Sequence, residues 1–264
     1  MTTLVPARLA DLEVLDEDAF EHVSVFRALR RWLERSSHEF LVPRQGELPF
    51  ARALVLNLAF FDPASPSDVL PERALPADVL AHVAWHAIAA ERLSPTVEGR
   101  FLGEAIASAF DLYAVGRLLG RDGKSDFLET QVPALSDAAE EAGLAAKDFE
   151  ALLADVAADP DAAFEDLRAL LFDVLVALHR AKGPREAADV FERFASHRFA
   201  PLLHHYEISS WTLAARETPA PPAKADPQDA ARDPGRIDAA LRAAKSSVDW
   251  LEEHWVRPGA PDAD

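Results

Sequence analysis

The chain has 264 residues, of which 49% are hydrophobic, and it carries a formal net charge of −18 from 45 acidic and 27 basic residues. A chain of this length and composition can bury a sizeable core, as one large domain or as a domain with an appendage. The negative charge argues against a nucleic acid or an anionic membrane as partner, because both repel an acidic surface. No cysteine is present, which excludes disulfides, thiolate metal sites and cysteine nucleophiles.

Targeting and membrane-spanning patterns are also missing from the sequence. No stretch approaches the ~18 consecutive apolar residues of a membrane-spanning helix. The first residues, MTTLVPARLADLEVLDEDAF, lack a basic region followed by an apolar run. We therefore expect a cytoplasmic protein.

Helices are predicted along most of the chain, because Ala, Leu, Arg and Glu dominate and apolar residues recur at spacings of three and four. No convincing segment shows the period of two that is typical of strands. The predicted helices cover about 16–36, 49–60, 76–92, 98–119, 133–142, 146–157, 160–181, 185–197 and 201–215. The predicted fold class is all-α, a multi-helix bundle over residues 1–216.

Residues 217–234 differ in composition from the rest, since they contain five prolines and no large apolar side chain. This stretch is predicted to be an extended linker. A C-terminal amphipathic helix is predicted over 235–257, with one apolar face formed by Ile237, Leu241, Ala244, Val248, Leu251 and Trp255. That face can fold back on its own bundle, or it can dock on a second protomer or on another protein.

Two histidines stand four residues apart in AHVAWHAIAA, residues 81–90. At this spacing His82 and His86 lie on one face of a helix, where two imidazoles can reach one ion. Ala89 continues the face with a side chain small enough for another helix to come close.

The next helix, RFLGEAIASAFDLYAVGRLLG, is apolar all round except for a polar stripe of Glu104, Ser108 and Asp111. A helix of this kind is buried, and a buried carboxylate needs a cation, a hydrogen-bond donor or a metal as partner. Because a short connection makes the two helices neighbours, the sequence predicts that Glu104 joins the two histidines as a metal ligand. Asp111 is predicted as a further ligand or as an acceptor that fixes a histidine tautomer.

The spacing of these residues resembles the zinc site of the gluzincin metalloproteases, in which an HExxH helix supplies two histidines and a second helix supplies a glutamate. Here HVAWH is followed, 18 residues after His86, by Glu104. The resemblance implies His82, His86 and Glu104 as zinc ligands. It departs at Val83, which stands where those enzymes have their general base and cannot accept a proton. Peptidase activity of that type is therefore not expected.

Two functions remain open. The first is a helical metalloprotein, in which zinc, or iron or manganese if both carboxylates bind, acts in a metal-dependent enzyme with Trp85 and Tyr113 near the cavity. The second is a non-enzymatic interaction protein, in which histidines and carboxylates form a metal-free network and the C-terminal helix contacts a second protomer or another protein. His205, from a distant helix, is a further candidate for the site.

Overall fold

The structure is a computed structural model, and it describes residues 3–46, 68–121, 124–217 and 230–257. It is mainly helical, which confirms the predicted fold class. The α-helices, in chain order, are α1 (Glu17–Phe20), α2 (Ser24–Arg35), α3 (Ala77–Arg92), α4 (Val97–Leu118), α5 (Asp126–Glu141), α6 (Ala146–Ala158), α7 (Pro160–Arg180), α8 (Pro184–Phe194), α9 (Ile208–Glu217), α10 (Pro234–Ala243) and α11 (Ser247–Leu251). Leu9–Asp11 and Ala200–Tyr206 are 3-10 helices, and Glu252–Val256 is a π-helical segment. Within the described ranges, no helix has both the length and the apolar character needed to span a membrane.

The described part of the chain also contains five short strands, which are β1 (Leu4–Ala7), β2 (Glu13–Leu15), β3 (Phe40–Pro43), β4 (Asp68–Val69) and β5 (Ala74–Pro76). β3 lies between β1, its antiparallel neighbour, and β4, its parallel neighbour. β2 pairs with β5 in parallel, and Leu15 lies opposite Pro76. Since α3 begins at the next residue, this small sheet fixes the start of the helix that carries the two histidines.

Helix α4 lies at the centre of the bundle. Every residue from 101 to 116 is buried except Asp111, and the helix packs against α3, α6, α7 and α10. Two glycines allow this close packing. A Cβ at Gly103 would lie 3.0 Å from the Cβ of Ala89 on α3, and one at Gly116 would lie 2.7 Å from the carbonyl oxygen of Val156 on α6. The short distance between α3 and α4 is what brings the polar residues of the two helices into contact.

Several predicted helices have different bounds in the structure. The predicted helix over 16–36 is divided into α1 and α2. The predicted start at 133 is wrong, because α5 begins at Asp126, where Ser125 accepts a hydrogen bond from the Leu128 N–H. Pro133 lies inside α5, where its ring removes one backbone donor without ending the helix.

The predicted helix over 201–215 is interrupted at Glu207, whose φ of 46° lies in the left-handed region and separates a 3-10 helix from α9. The predicted helix over 49–60 and residues 218–229 of the predicted linker lie outside the described residues.

The predicted C-terminal helix over 235–257 is not continuous. It is divided into α10, α11 and the π-helical segment, and the side chain of Ser246 caps α11 by accepting a hydrogen bond from the Asp249 N–H. Five of the six residues of its predicted apolar face are nevertheless packed within the same chain and at most 6% exposed: Ile237, Leu241, Val248, Leu251 and Trp255. Ala244, the sixth, follows the last residue of α10 and is partly exposed. In this structure α10 and α11 pack against α4 and α7, and the π-helical segment packs against α2 and α3.

A network of charged residues, which we call the Arg168 network, fastens this C-terminal segment to α7. The fully buried Arg168 donates two hydrogen bonds to Glu165, at 2.8 and 2.7 Å, and one to Asp238 of α10, at 2.9 Å. Ser247 of α11 donates to the same glutamate at 2.7 Å. A bidentate arginine of this kind holds its partners in a defined geometry.

Candidate metal centre

Polar side chains form two stripes that face each other across the contact between α3 and α4. The α3 stripe has Asp78, His82 and His86 at successive turns, and the α4 stripe has Glu104, Ser108 and Asp111. The stripes run in opposite directions, so that the end of one meets the start of the other. Both lie in a region where neighbouring side chains are mostly apolar and buried.

Three ligand atoms of these stripes converge. The Nε2 atom of His86 lies 3.2 Å from Nε2 of His82 and 3.3 Å from Oε2 of Glu104, and the three residues each offer a ligand atom within 4.8 Å of the other two. Ligands that share an ion at about 2.1 Å are separated by about 3.0 to 3.4 Å in tetrahedral or octahedral geometry. The group of His82, His86 and Glu104 can therefore hold a metal ion.

Two further residues of the α4 stripe orient these ligands. Asp111 places Oδ2 3.3 Å from Nδ1 of His82, on the ring edge away from the three converging atoms. When Nδ1 carries the proton in that hydrogen bond, Nε2 carries a lone pair that can bind a metal. Ser108 donates to Oε1 of Glu104 at 3.4 Å, which leaves Oε2 towards His86. Of the two roles predicted for Asp111, the structure has it as hydrogen-bond partner of a histidine and outside the converging group.

The site lies at the edge of the core. The Glu104 side chain is 2% exposed, whereas those of His82 and His86 are 17% and 22% exposed, and that of Asp111 is 27% exposed. The carboxylate ligand is therefore on the inner side, and the two imidazoles lie between it and solvent.

The two histidines differ in protonation. Burial alone would lower the pKa of His82, but the charge and hydrogen bond of Asp111, with the charges of Glu104 and Asp78, raise this pKa to about 9. Burial, together with the positive charge of His82, lowers the pKa of His86 well below its ordinary value. Without a metal at neutral pH, one imidazole is thus charged and the other neutral.

Two carboxyl groups have raised affinities for protons. Burial raises the pKa of Glu104 to about 7, against the opposing effects of His82 and Ser108. Burial and the nearby charge of Asp111 raise the pKa of Asp78 to about 6. Three carboxyl groups, those of Asp78, Glu104 and Asp111, therefore surround two imidazoles. Because only the imidazole of His82 is charged, the site has more negative than positive groups.

Asp78 is a charged neighbour of the three ligands that was not predicted from the sequence. It stands four positions before His82 and so continues the face that carries both histidines. The same i, i+4 spacing that identified the histidines was the signal.

Three other predicted residues do not join the converging group. The Trp85 ring is fully buried against Phe110, at 5.8 Å between ring centroids, and the Tyr113 hydroxyl accepts a hydrogen bond from Arg117 at 2.8 Å. Both belong to the core. The charge of Asp111 raises the pKa of His205, but burial has the larger effect and lowers it overall.

A groove of about 800 Å³ lies elsewhere on the molecule, between α7, α8 and the start of α10. None of the residues that line it belongs to the two stripes.

No protein-family model, curated protein or solved structure matches this chain, so the interpretation of the site rests on its own geometry.

Proposed function

We propose that the protein binds one divalent transition-metal ion through His82, His86 and Glu104. The observation that carries the proposal is the convergence of three ligand atoms at 3.2 and 3.3 Å between two helices. The shortage of positive charge around them supports it, because a divalent cation neutralises buried carboxylates that would otherwise take up protons.

The proposed ion is zinc, iron or manganese, since sites of imidazole and carboxylate suit all three. Because three protein ligands leave coordination positions open, we propose a metal-dependent enzyme rather than a structural metal site. When bound, the ion supplies Lewis acidity. Within the chain, Asp111 holds His82 in the tautomer that presents Nε2, and Ser108 orients the carboxylate of Glu104.

We do not propose a gluzincin-type peptidase. Val83 follows His82 directly, is 1% exposed and packs in the apolar core, so that it offers no group for a proton from a metal-bound water. The likeness to gluzincins is limited to the order of the three proposed ligands along the chain.

A second candidate is a non-enzymatic protein in which the same residues form a metal-free network. It is favoured by the contacts of each histidine with a carboxylate, His82 with Asp111 and His86 with Glu104, both at 3.3 Å. These contacts satisfy the imidazoles without an ion.

Metal content distinguishes the two candidates. Protein prepared without a polyhistidine tag is equilibrated with zinc, ferrous or manganous ion, dialysed and subjected to elemental analysis. We expect about one equivalent of metal in the parent and far less in Glu104→Gln, which keeps the size of the side chain but removes its charge.

The matched control is Glu98→Gln, a substitution of a half-exposed glutamate on the same helix whose partner is Arg180. This variant should retain the parent's equivalent of metal. Equal metal content in all three proteins, or none in the parent with any of the ions, would refute the proposed site.

A further inference from the structure

The converging group leaves part of an ion's coordination sphere free. A closed structural zinc site has four protein ligands, whereas the described residues bring together three. Asp111 does not supply a fourth from its position, because its carboxylate is bonded to the opposite nitrogen of the His82 ring. An ion with four to six ligands therefore keeps at least one position for a ligand from solution.

The free positions are reached from the solvent side. Glu104 closes the inner side of the site, where its side chain is 2% exposed. The side chains of His82 and His86 are both partly exposed, so that a molecule from solution can reach the ion past the two imidazoles.

The charges at this edge favour a neutral ligand. The carboxylate of Asp111 lies 3.3 Å from the His82 ring, and Asp78 stands one turn before His82 on the same helix face. Two carboxylates repel an approaching anion, and the net charge of −18 acts in the same direction. A small neutral molecule meets no such barrier.

Two histidines and one carboxylate with open positions are the donor set of non-haem ferrous sites. The following inference rests on the proposed function. We propose that the site takes ferrous iron and that the iron binds, at its open positions, a small neutral diatomic molecule, the chemical class that includes nitric oxide and dioxygen.

Nitric oxide tests this proposal without requiring turnover. Metal-free protein is loaded with ferrous iron under anaerobic conditions, exposed to nitric oxide and examined by electron paramagnetic resonance. A ferrous nitrosyl with an intact histidine and carboxylate set gives a half-integer-spin signal. In the parent, we expect the intensity of this signal to correspond to about one ferrous nitrosyl per bound iron. The signal should be lost in His86→Ala.

Azide serves as the charged counterpart of nitric oxide. We expect it to bind the iron-loaded parent weakly. Asp78→Asn removes one negative charge but keeps a side-chain oxygen that can accept the backbone N–H bonds of Asp78 and Val79. It should raise azide affinity about threefold to tenfold, the effect of one nearby charge in a partly aqueous environment, and leave the nitrosyl signal unchanged.

The outcomes separate this inference from the proposed function. A full equivalent of bound iron without a nitrosyl signal would show a closed coordination sphere and overturn the inference, while the metal site would stand. Binding of zinc or manganese but not of ferrous iron would also overturn the inference and leave the metal site standing. Failure to bind any of these ions would overturn both.

Discussion

The Arg168 network and the two facing stripes of α3 and α4 are both polar clusters between helices, but they differ in how donors match acceptors. Around Arg168, three N–H groups face carboxylate oxygens at 2.7 to 2.9 Å. Between α3 and α4, two imidazole nitrogens face each other at 3.2 Å, and burial raises the pKa of Glu104 to about 7. The first cluster contains a permanent cation that donates to both of its carboxylates, whereas the second has one imidazolium, that of His82, among three carboxyl groups. A buried network whose donors match its acceptors indicates a structural role, and one with an excess of carboxyl groups indicates a site for a cation.

The largest effect is expected from breaking the complete network. Arg168→Met should destabilise the protein by about 3 to 5 kcal/mol, because it leaves Glu165 without a cation and Asp238 with only the more exposed Arg242. For a chain of this size that corresponds to a fall of about 6 to 20 °C in Tm, measured by circular dichroism.

The control for this substitution is Arg242→Met. Arg242 also pairs with Asp238, but its side chain is 39% exposed, so its loss should cost at most about 1 kcal/mol. Equal falls in Tm for the two variants would show that the buried Arg168 contributes no more to stability than the exposed Arg242.

A smaller effect is expected from pH, and it acts on the metal site. A metal that binds Nε2 of His82 displaces a proton from a group whose pKa is about 9. Affinity should therefore fall about tenfold per unit as the pH is lowered, or about a hundredfold from pH 8 to pH 6, and further where Glu104 becomes protonated below about pH 7. Isothermal titration calorimetry with zinc or manganese measures the change.

The metal-free protein should show the opposite trend in stability. The pKa of His82 is higher in the folded state than its ordinary 6.5, so its contribution is complete below about pH 6.5 and is lost as the pH rises through about 9. The raised pKa values of Glu104 and Asp78 act in the same direction, through about 7 and 6, whereas the lowered pKa of His86 acts against them below its ordinary value. A metal-free protein that is as stable at pH 9 as at pH 7 would contradict these assignments.

The sequence predicted the helical class and the pairing of α3 with α4, because both follow from local periodicity and a short connection. It also predicted that Glu104 lies beside the histidines, since a charged residue on an otherwise apolar helix needs a polar partner. It did not predict the break between α10 and α11, because the apolar positions continue with helical spacing across a turn that is fixed by the cap at Ser246. The Arg168 network was also missed, since Arg168 and Asp238 lie 70 positions apart and pair through tertiary packing.

The role of Asp111 could not be predicted from the sequence alone. Its position on the helix face shows that it points towards α3, but this left two roles open for the carboxylate, that of a ligand and that of a hydrogen-bond acceptor. Which imidazole nitrogen it contacts depends on rotamers that only the packed structure defines.

The most direct test of the metal site is the melting curve of the parent with and without a strong chelator. If an ion binds only the folded state at about a hundred times its Kd, it stabilises that state by roughly 2.7 kcal/mol, and the chelator should lower Tm by about 5 to 11 °C. Glu104→Gln should be folded and nearly indifferent to the chelator. A parent protein pre-equilibrated with zinc, ferrous or manganous ion whose Tm does not change on chelation would contradict the account and leave the two histidines as partners of buried carboxylates.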